Sequence, residues 1–216
     1  MGEQGKLSGR RRPAPALNMN ALILVDIQND FLPGGALPVP EGDEVIAVAN
    51  NEQTRFDLIV ATQDWHPADH ESFAVNHDGK QVGDRVNLHG LPQILWPVHC
   101  VQETCGADFA SGLQRDRWAG IFRKGVDRHI DSYSGFFDNG HAKDTGLAGY
   151  LRQRRVDTVF VLGLATDYCI KFTALDALNL GFRTHLILDG CRGVNLEPGD
   201  VLRAVEEMKT KGVLVQ

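Results

Sequence analysis

A cysteine that follows an apolar run is the first candidate for chemistry. Residues 158–162 (TVFVL) are typical of a buried strand, and residues 163–167 (GLATD) lead from them to Cys169, where a helical pattern begins. A thiol at a helix N-terminus lies near the positive end of the helix dipole, so we expect a stabilised thiolate and free N–H groups for an oxyanion. Thr166 or Asp167 is predicted to cap this helix. The alternative is a buried structural cysteine, a common fate of free thiols.

Two charged residues at the ends of other apolar runs could serve this thiol. Asp26 lies at the end of the run 21–27, where an ionised carboxylate is rare unless it is paired or catalytic. It could take the thiol proton as a general base, or it could simply cap a neighbouring loop. Lys124 follows a predicted strand at 118–122. Beside Asp26 and Cys169 it would stabilise negative charge, although a lysine at a strand end usually points into water.

A third group has the residue types of a metal site. Asp64 and His66 are two residues apart and fall on the same side of an extended segment. His99 could supply a third ligand, and two imidazoles with one carboxylate are a common catalytic-metal set. The rivals of His99 for the third place are His70, His77 and His89, and a metal-bound water could be held by Glu71 or Ser72.

These residues need a sheet that brings strand ends together. Apolar runs at 21–27, 58–62, 158–162, 184–188 and 213–215 alternate with helical patterns at 43–55, 147–154, 168–180 and 200–211. This alternation predicts an α/β fold with a doubly wound, mainly parallel sheet flanked by helices on both faces. Gly181 and Gly212 stand where two helices should stop. Residues 63–137 show little periodicity, which is typical of functional segments.

Composition sets the class of protein. The 216 residues suit one domain, and the net charge of −6 argues against nucleic acid or an anionic membrane as the main partner. Four cysteines are too few for a disulfide scaffold, so we expect reduced thiols and a cytoplasmic protein. No run approaches the roughly 18 apolar residues of a membrane span. Residues 1–19, rich in Gly, Pro and Arg, are predicted to be a flexible tail, and residues 20–216 a single domain.

The ordered set of motifs resembles one family. Residues 26–31 (DIQNDF), 64–67 (DWHP), 96–100 (WPVHC), 124–125 (KG), 131–136 (DSYSGF) and 163–169 (GLATDYC) together resemble the bacterial nicotinamidase/pyrazinamidase family of isochorismatase-like cysteine hydrolases. The resemblance extends from about residue 20 to the C-terminus. It implies a Rossmann-like three-layer fold and hydrolysis of nicotinamide to nicotinate and ammonia in NAD salvage, with pyrazinamide as a second substrate.

The resemblance also implies roles for individual residues. Asp26, Lys124 and Cys169 would form a catalytic triad, and Cys169 would form a thioester with the substrate. One divalent metal (zinc, iron or manganese) would be held by Asp64, His66 and His99, with Ser72 (through water) or His70 adding to the shell, and would bind the ring nitrogen. A cis peptide is implied at Leu164–Ala165, which would aim the Ala165 N–H, together with that of Cys169, at the oxyanion. The pyridine ring would be held by Phe31, Trp96 and Tyr133.

Two alternatives remain open at this stage. One is another amidase of the same superfamily, an N-carbamoyl amide or ureidoacrylate hydrolase, which need not keep the two-histidine metal set. The other is a non-catalytic α/β domain that binds a metal or ligand. The sequence leaves both the metal's identity and the presence of a homo-oligomer open.

Overall fold

The computed structural model describes residues 19–216 and is built around a six-stranded parallel sheet. In chain order the strands are β1 (Met19–Val25), β2 (Leu58–Asp64), β3 (Arg85–Leu88), β4 (Leu91–Ile94), β5 (Trp118–Lys124), β6 (Val156–Leu164), β7 (Arg183–Arg192) and β8 (Leu214–Val215). The sheet order is β5-β2-β1-β6-β7-β8, while β3 and β4 pair with each other as an antiparallel hairpin. The predicted parallel sheet is confirmed.

Within residues 19–216, four α-helices cover the sheet. They are α1 (Val45–Gln53), α2 (Leu147–Gln153), α3 (Lys171–Asn179) and α4 (Asp200–Lys211). α1 packs against β6 and β7, and α3 packs against β7 and α4. Each helix follows a strand and leads to another parallel strand, which is the connection that a buried parallel sheet requires. The layers are therefore those of a three-layer α/β fold, as the sequence predicts.

The central strands are apolar because both of their faces are covered. Residues 21–25 of β1 and the whole of β2 are buried. β1 lies between β2 and β6, with Val25 in register with Thr62 on one side and with Gly163 on the other. This register brings the carboxyl ends of three strands to one edge of the sheet, where ligands bind in open α/β folds.

Several boundaries differ from the sequence prediction. β1 begins at Met19, one residue inside the predicted tail; residues 1–18 lie outside the described part of the chain. β1 also stops at Val25, because Asp26 adopts a left-handed backbone with φ 50° and turns the chain out of the sheet. The segment 63–137 contains the β3–β4 hairpin, which the periodicity did not predict. No helix within residues 19–216 is long and apolar enough to span a membrane.

Candidate active site

The strand ends deliver the predicted charged residues to one place. Asp64 and Lys124 are the last residues of β2 and β5 and stand in register with each other. Asp26 follows the end of β1, and Cys169 follows β6 within a π-helical turn that precedes α3. All four side chains are buried, so their charges act on one another with little solvent screening.

The Lys124 ammonium group lies at the centre of this cluster. Its three N–H groups are directed to Asp64 Oδ1 at 3.0 Å, to the Ser132 carbonyl oxygen at 3.0 Å and to Cys169 Sγ at 3.4 Å. Burial lowers the pKa of Lys124, but the negative charges of Asp26 and Asp64 outweigh burial and raise the pKa well above its usual value. The side chain therefore stays a cation, and it lies beside Asp26 and Cys169 as predicted and not in water, which was the alternative.

The Asp26 carboxylate is held by a hydroxyl group at one oxygen and lies beside a lysine cation at the other. Thr62 Oγ1 donates a hydrogen bond of 2.7 Å to Oδ1. Oδ2 lies 2.8 Å from Lys124 Nζ as an ion pair, but it accepts no well-aligned hydrogen bond from the described residues. Burial raises the pKa of Asp26 and the charge of Lys124 acts against it, leaving the pKa above its usual value of 3.8. A raised pKa and an oxygen that accepts no well-aligned hydrogen bond suit a proton acceptor.

Cys169 is a thiol at rest and not the stabilised thiolate that the sequence predicts. Burial raises its pKa well above the usual 9.0; Lys124 lowers it, and the charges of Asp26 and Asp64 raise it further. A thiol in this environment needs a base, and Asp26 is the neighbouring carboxylate. The predicted helix cap is also wrong. Ala165 occupies the cap position without a side-chain bond, and the Asp167 carboxylate accepts the Val194 and Asn195 N–H groups instead.

The turn between β6 and Cys169 has the predicted backbone. The Leu164–Ala165 peptide bond is cis, as the family resemblance implies. Ala165 and Cys169 both line the cavity beside the thiol. The Ala165 carbonyl oxygen accepts the N–H groups of Tyr168 and Ile170, which fixes the turn around the cysteine.

The three predicted metal ligands converge. Asp64 Oδ2 lies 3.0 Å from His66 Nε2 and 3.4 Å from His99 Nε2. Each imidazole is oriented from its other nitrogen, because His66 Nδ1 donates to the Gly125 carbonyl oxygen and His99 Nδ1 to that of Pro97. The donor atoms of the three side chains lie within 4.8 Å of one another. A carboxylate with two carbonyl-oriented imidazoles fits a divalent metal such as zinc, iron or manganese.

The other predicted ligands fall into two groups. His70 lies beside His66, with its Nδ1 2.7 Å from Ser72 Oγ. Its Nε2 is buried without a hydrogen-bond partner among residues 19–216, which makes His70 the better candidate for a further ligand than Ser72. His77 and His89 bond to Glu71 instead, so neither takes the place of His99.

A small cavity beside Cys169 collects the predicted aromatic residues. It is lined by Phe31, Leu37, Asp64, Trp96, His99, Asp131, Tyr133, Ala165, Tyr168, Cys169 and Val194. The Tyr133 hydroxyl oxygen accepts hydrogen bonds from Trp96 Nε1 and Gln93 Nε2. Tyr133 and Tyr168 also line an outer groove of about 480 Å³. The three predicted aromatic residues thus line the same cavity as the thiol and two of the predicted metal ligands.

Some residues of the site escaped sequence reasoning. Thr62 holds Asp26, and only the register of β1 with β2 reveals this. Gln28 fixes Asp64 by accepting its backbone N–H and donating to its carbonyl oxygen, both at 2.8 Å. Asp131 stands within 4.8 Å of His66 and His70. Its position in the motif 131–136 was the available signal for Asp131.

The fold and this group of side chains define the class as a three-layer α/β hydrolase. The isochorismatase domain model matches residues 20–216. The Escherichia coli nicotinamidase is 50% identical over 196 residues, which cover 89% of this chain and 92% of that protein. The chain therefore belongs to the isochorismatase family.

Two solved structures share the fold at high similarity. A nicotinamidase/pyrazinamidase of Acinetobacter baumanii has a TM-score of 0.89 and 45% identity, covering 92% of this chain and 95% of that one. The pyrazinamidase of Pyrococcus horikoshii in complex with zinc has a TM-score of 0.74 and 41% identity, covering 92% and 98%. These similarities favour a hydrolase over a non-catalytic domain.

Proposed function

We propose that this chain hydrolyses nicotinamide to nicotinate and ammonia for NAD salvage, and pyrazinamide to pyrazinoate by the same chemistry. The observation that carries the proposal is that one cavity is lined by Cys169, by Asp64 and His99, and by four aromatic residues, three of which are the predicted Phe31, Trp96 and Tyr133. A thiol beside an aromatic-lined cavity and a metal group suits an amide attached to a ring with a nitrogen donor. The relatives that bear the names nicotinamidase and pyrazinamidase support this substrate class.

The proposed first half-reaction uses Asp26 and Cys169. Asp26 Oδ2 takes the thiol proton, and the thiolate attacks the amide carbon. The N–H groups of Ala165 and Cys169 stabilise the oxyanion of the tetrahedral intermediate. When the C–N bond breaks, Asp26 returns the proton to the departing nitrogen and ammonia leaves, with the acyl group held as a thioester on Cys169.

The second half-reaction hydrolyses the thioester. Asp26 takes a proton from water as the water oxygen attacks the acyl carbon. The C–S bond then breaks, Asp26 returns its proton to the departing Cys169 Sγ, and nicotinic acid leaves and gives its proton to solvent as nicotinate. Lys124 contacts Asp26 and Cys169 Sγ in the resting state. We assign it the role of stabilising the negative charge that alternates between these two groups, since a buried cation lowers the energy of both anions.

A divalent metal fits the neighbouring group of residues. Asp64, His66 and His99 would hold it, and the unpartnered Nε2 of His70 supports a fourth protein ligand, with Ser72 through water as the alternative. The metal would supply a Lewis-acid partner for the ring nitrogen of the substrate. Phe31, Trp96 and Tyr133, which line the cavity, would hold the pyridine ring. The zinc complex of the Pyrococcus horikoshii relative supports a metal at this site.

The domain organisation and the cellular location are also proposals. We propose that residues 20–216 form one domain, because a single sheet passes through it from β1 to β8. All four cysteines are free, which suits a cytoplasmic enzyme.

Ammonia release tests the proposal. The purified chain, supplied with zinc, iron(II) or manganese(II), should release ammonia from nicotinamide and from pyrazinamide, and much less from an N-carbamoyl amide. Cys169→Ala should lower turnover by about three orders of magnitude or more, since it removes the nucleophile. Cys105→Ala is the matched control, because Cys105 is exposed and outside the cavity. Release from the carbamoyl substrate alone, or full turnover by Cys169→Ala, would contradict the proposal.

A further inference from the structure

A second group of metal-ligating side chains lies on the surface, outside the site described above. The Glu71 carboxylate is at its centre. Its Oε2 lies 2.7 Å from His89 Nε2, and its Oε1 lies 2.7 Å from His129 Nδ1. The two imidazole rings are 5.2 Å apart at the centroids and nearly perpendicular. One donor atom from each side chain lies within 4.8 Å of the others.

Three separate segments supply these residues. Glu71 stands in the loop after β2, His89 in the turn of the β3–β4 hairpin, and His129 in the segment after β5. Glu71 is fixed through its backbone, because its N–H donates to the Arg128 carbonyl oxygen at 2.8 Å and its own carbonyl oxygen lies 2.6 Å from His77 Nε2. The backbone of Glu71 is therefore anchored independently of His89 and His129, which approach its carboxylate.

This group is separate from the inner metal ligands and open to solvent. The side chains of His89 and His129 are each 51% exposed, and that of Glu71 is 23% exposed, whereas the neighbouring His70 and Ser72 are buried. The Arg128 guanidinium lies 3.7 Å from Glu71 Oε1 but makes a closer contact of 2.9 Å with Asp69 Oδ2. If a metal displaces Arg128 from Glu71, the arginine therefore keeps Asp69 as its ion-pair partner.

We propose that Glu71, His89 and His129 form a second, surface binding site for a divalent transition metal of the zinc class. Two imidazole nitrogens and one carboxylate, with water completing the shell, are the ligand set that zinc takes with three protein donors. Nitrogen donors of this kind disfavour magnesium and calcium, which prefer oxygen ligands. The hydrogen bonds within the group are replaced by metal–ligand bonds from the same atoms.

A metal here would join the hairpin to the body of the protein. β4 carries Gln93, whose Nε2 donates to Asp131 Oδ2 at 2.9 Å and to the Tyr133 hydroxyl oxygen at 3.2 Å. The hairpin is thus part of the support of the cavity wall. A metal bound by Glu71, His89 and His129 should stabilise the hairpin and raise the thermal unfolding temperature, because it binds the folded arrangement of three segments and not the unfolded chain.

Zinc stoichiometry tests the proposal by difference. The full chain is first saturated with zinc at the inner site of Asp64, His66 and His99. It is then titrated with zinc chloride in a calorimeter at neutral pH, and thermal unfolding is followed in parallel. The variants are the double variant His89→Ala/His129→Ala and the matched control His141→Ala, which removes a histidine side chain of 57% exposure elsewhere on the surface. Neither histidine of the double variant belongs to the catalytic group, so its ammonia release should equal that of wild type and report correct folding.

The expected result is that the double variant binds one equivalent of zinc fewer than wild type and loses the rise in unfolding temperature that accompanies this equivalent. The His141→Ala variant should bind as wild type does, and magnesium should not replace zinc. Equal stoichiometry in wild type and the double variant would overturn the proposal, whatever the number of equivalents. An equal loss in the His141→Ala variant would overturn it too, because binding would then follow surface histidines in general.

Discussion

At the Cys169 thiol, burial and neighbouring charges act in opposite directions. Burial and the carboxylates of Asp26 and Asp64 raise the pKa, and Lys124 lowers it, with the balance well above the usual 9.0. The sequence predicted a thiolate from the position of Cys169 near a helix start. That prediction was wrong because the helix dipole is only one of several contributions to the thiol pKa. Burial is the largest of them, and the spacing of residues in the sequence does not show how deeply Cys169 is buried. The thiol must therefore be activated by a base during the reaction.

The Asp26→Asn variant separates the effect of the Asp26 charge on the thiol pKa from the function of Asp26 as a base. Loss of the carboxylate charge should lower the pKa of the Cys169 thiol, while loss of the base should lower kcat by roughly 100- to 10,000-fold. Thiolate absorbance measured against pH, beside ammonia release, checks both. Asp69→Asn, at an exposed position, serves as the control and should change neither. A variant with a lower thiol pKa and near wild-type kcat would show that Asp26 is not the base.

The acid side of the pH profile follows from the same carboxylate. Burial raises the pKa of Asp26 above 3.8, and only the ionised form can accept the thiol proton. As the pH falls, Asp26 should therefore gain its proton, and kcat/KM should decline, at a pH above the value for an ordinary aspartate. Enzyme held at each pH and returned to neutral pH for assay controls for unfolding. A kcat/KM that stays level down to 3.8 would contradict this role for Asp26.

At the scale of elements, the parallel strands were predictable and the hairpin was not. The strands that deliver Asp26, Asp64 and Cys169 are long apolar runs because helices cover both faces of the sheet. The β3–β4 hairpin is four residues a side, so the polar–apolar alternation of β3 extends over only four positions, and β4 contains Pro92, which weakens a strand prediction. The contact of Thr62 with Asp26 could not be predicted either, because it depends on the register between β1 and β2, which the periodicity of a single strand does not reveal.

Gly125 shows how an element end positions a ligand. Its φ of +65° places the backbone against the His66 ring, and an added Cβ would come 2.4 Å from Cε1 and 2.6 Å from Nδ1. Gly125→Ala should therefore displace His66 and weaken metal binding by about 10- to 100-fold, the usual effect of a lost supporting contact. Competition with a chelator measures this affinity. Gly149→Ala is the control, because nothing lies within 4 Å of its added Cβ; equal metal affinity in both variants would refute the placement.

At the scale of the whole molecule, charge should matter little to substrate capture. The net charge is −6, whereas nicotinamide is neutral, so long-range steering has nothing to act on. We expect kcat/KM to change by less than about twofold between roughly 0.01 and 0.15 M salt, although the Debye screening length falls severalfold over this range. Metal content measured at each salt concentration is the control. A steep fall in kcat/KM with constant metal content would indicate a charged substrate.

The proposed reaction rests most directly on a covalent bond to Cys169. Enzyme mixed with excess nicotinamide, quenched in acid within the first turnover and digested, can be mapped by mass spectrometry. The mechanism predicts a nicotinoyl group on the peptide that contains Cys169, formed before nicotinate accumulates, with Cys100, Cys105 and Cys191 unmodified. Nicotinate that accumulates through the first turnover while Cys169 stays unmodified would contradict it.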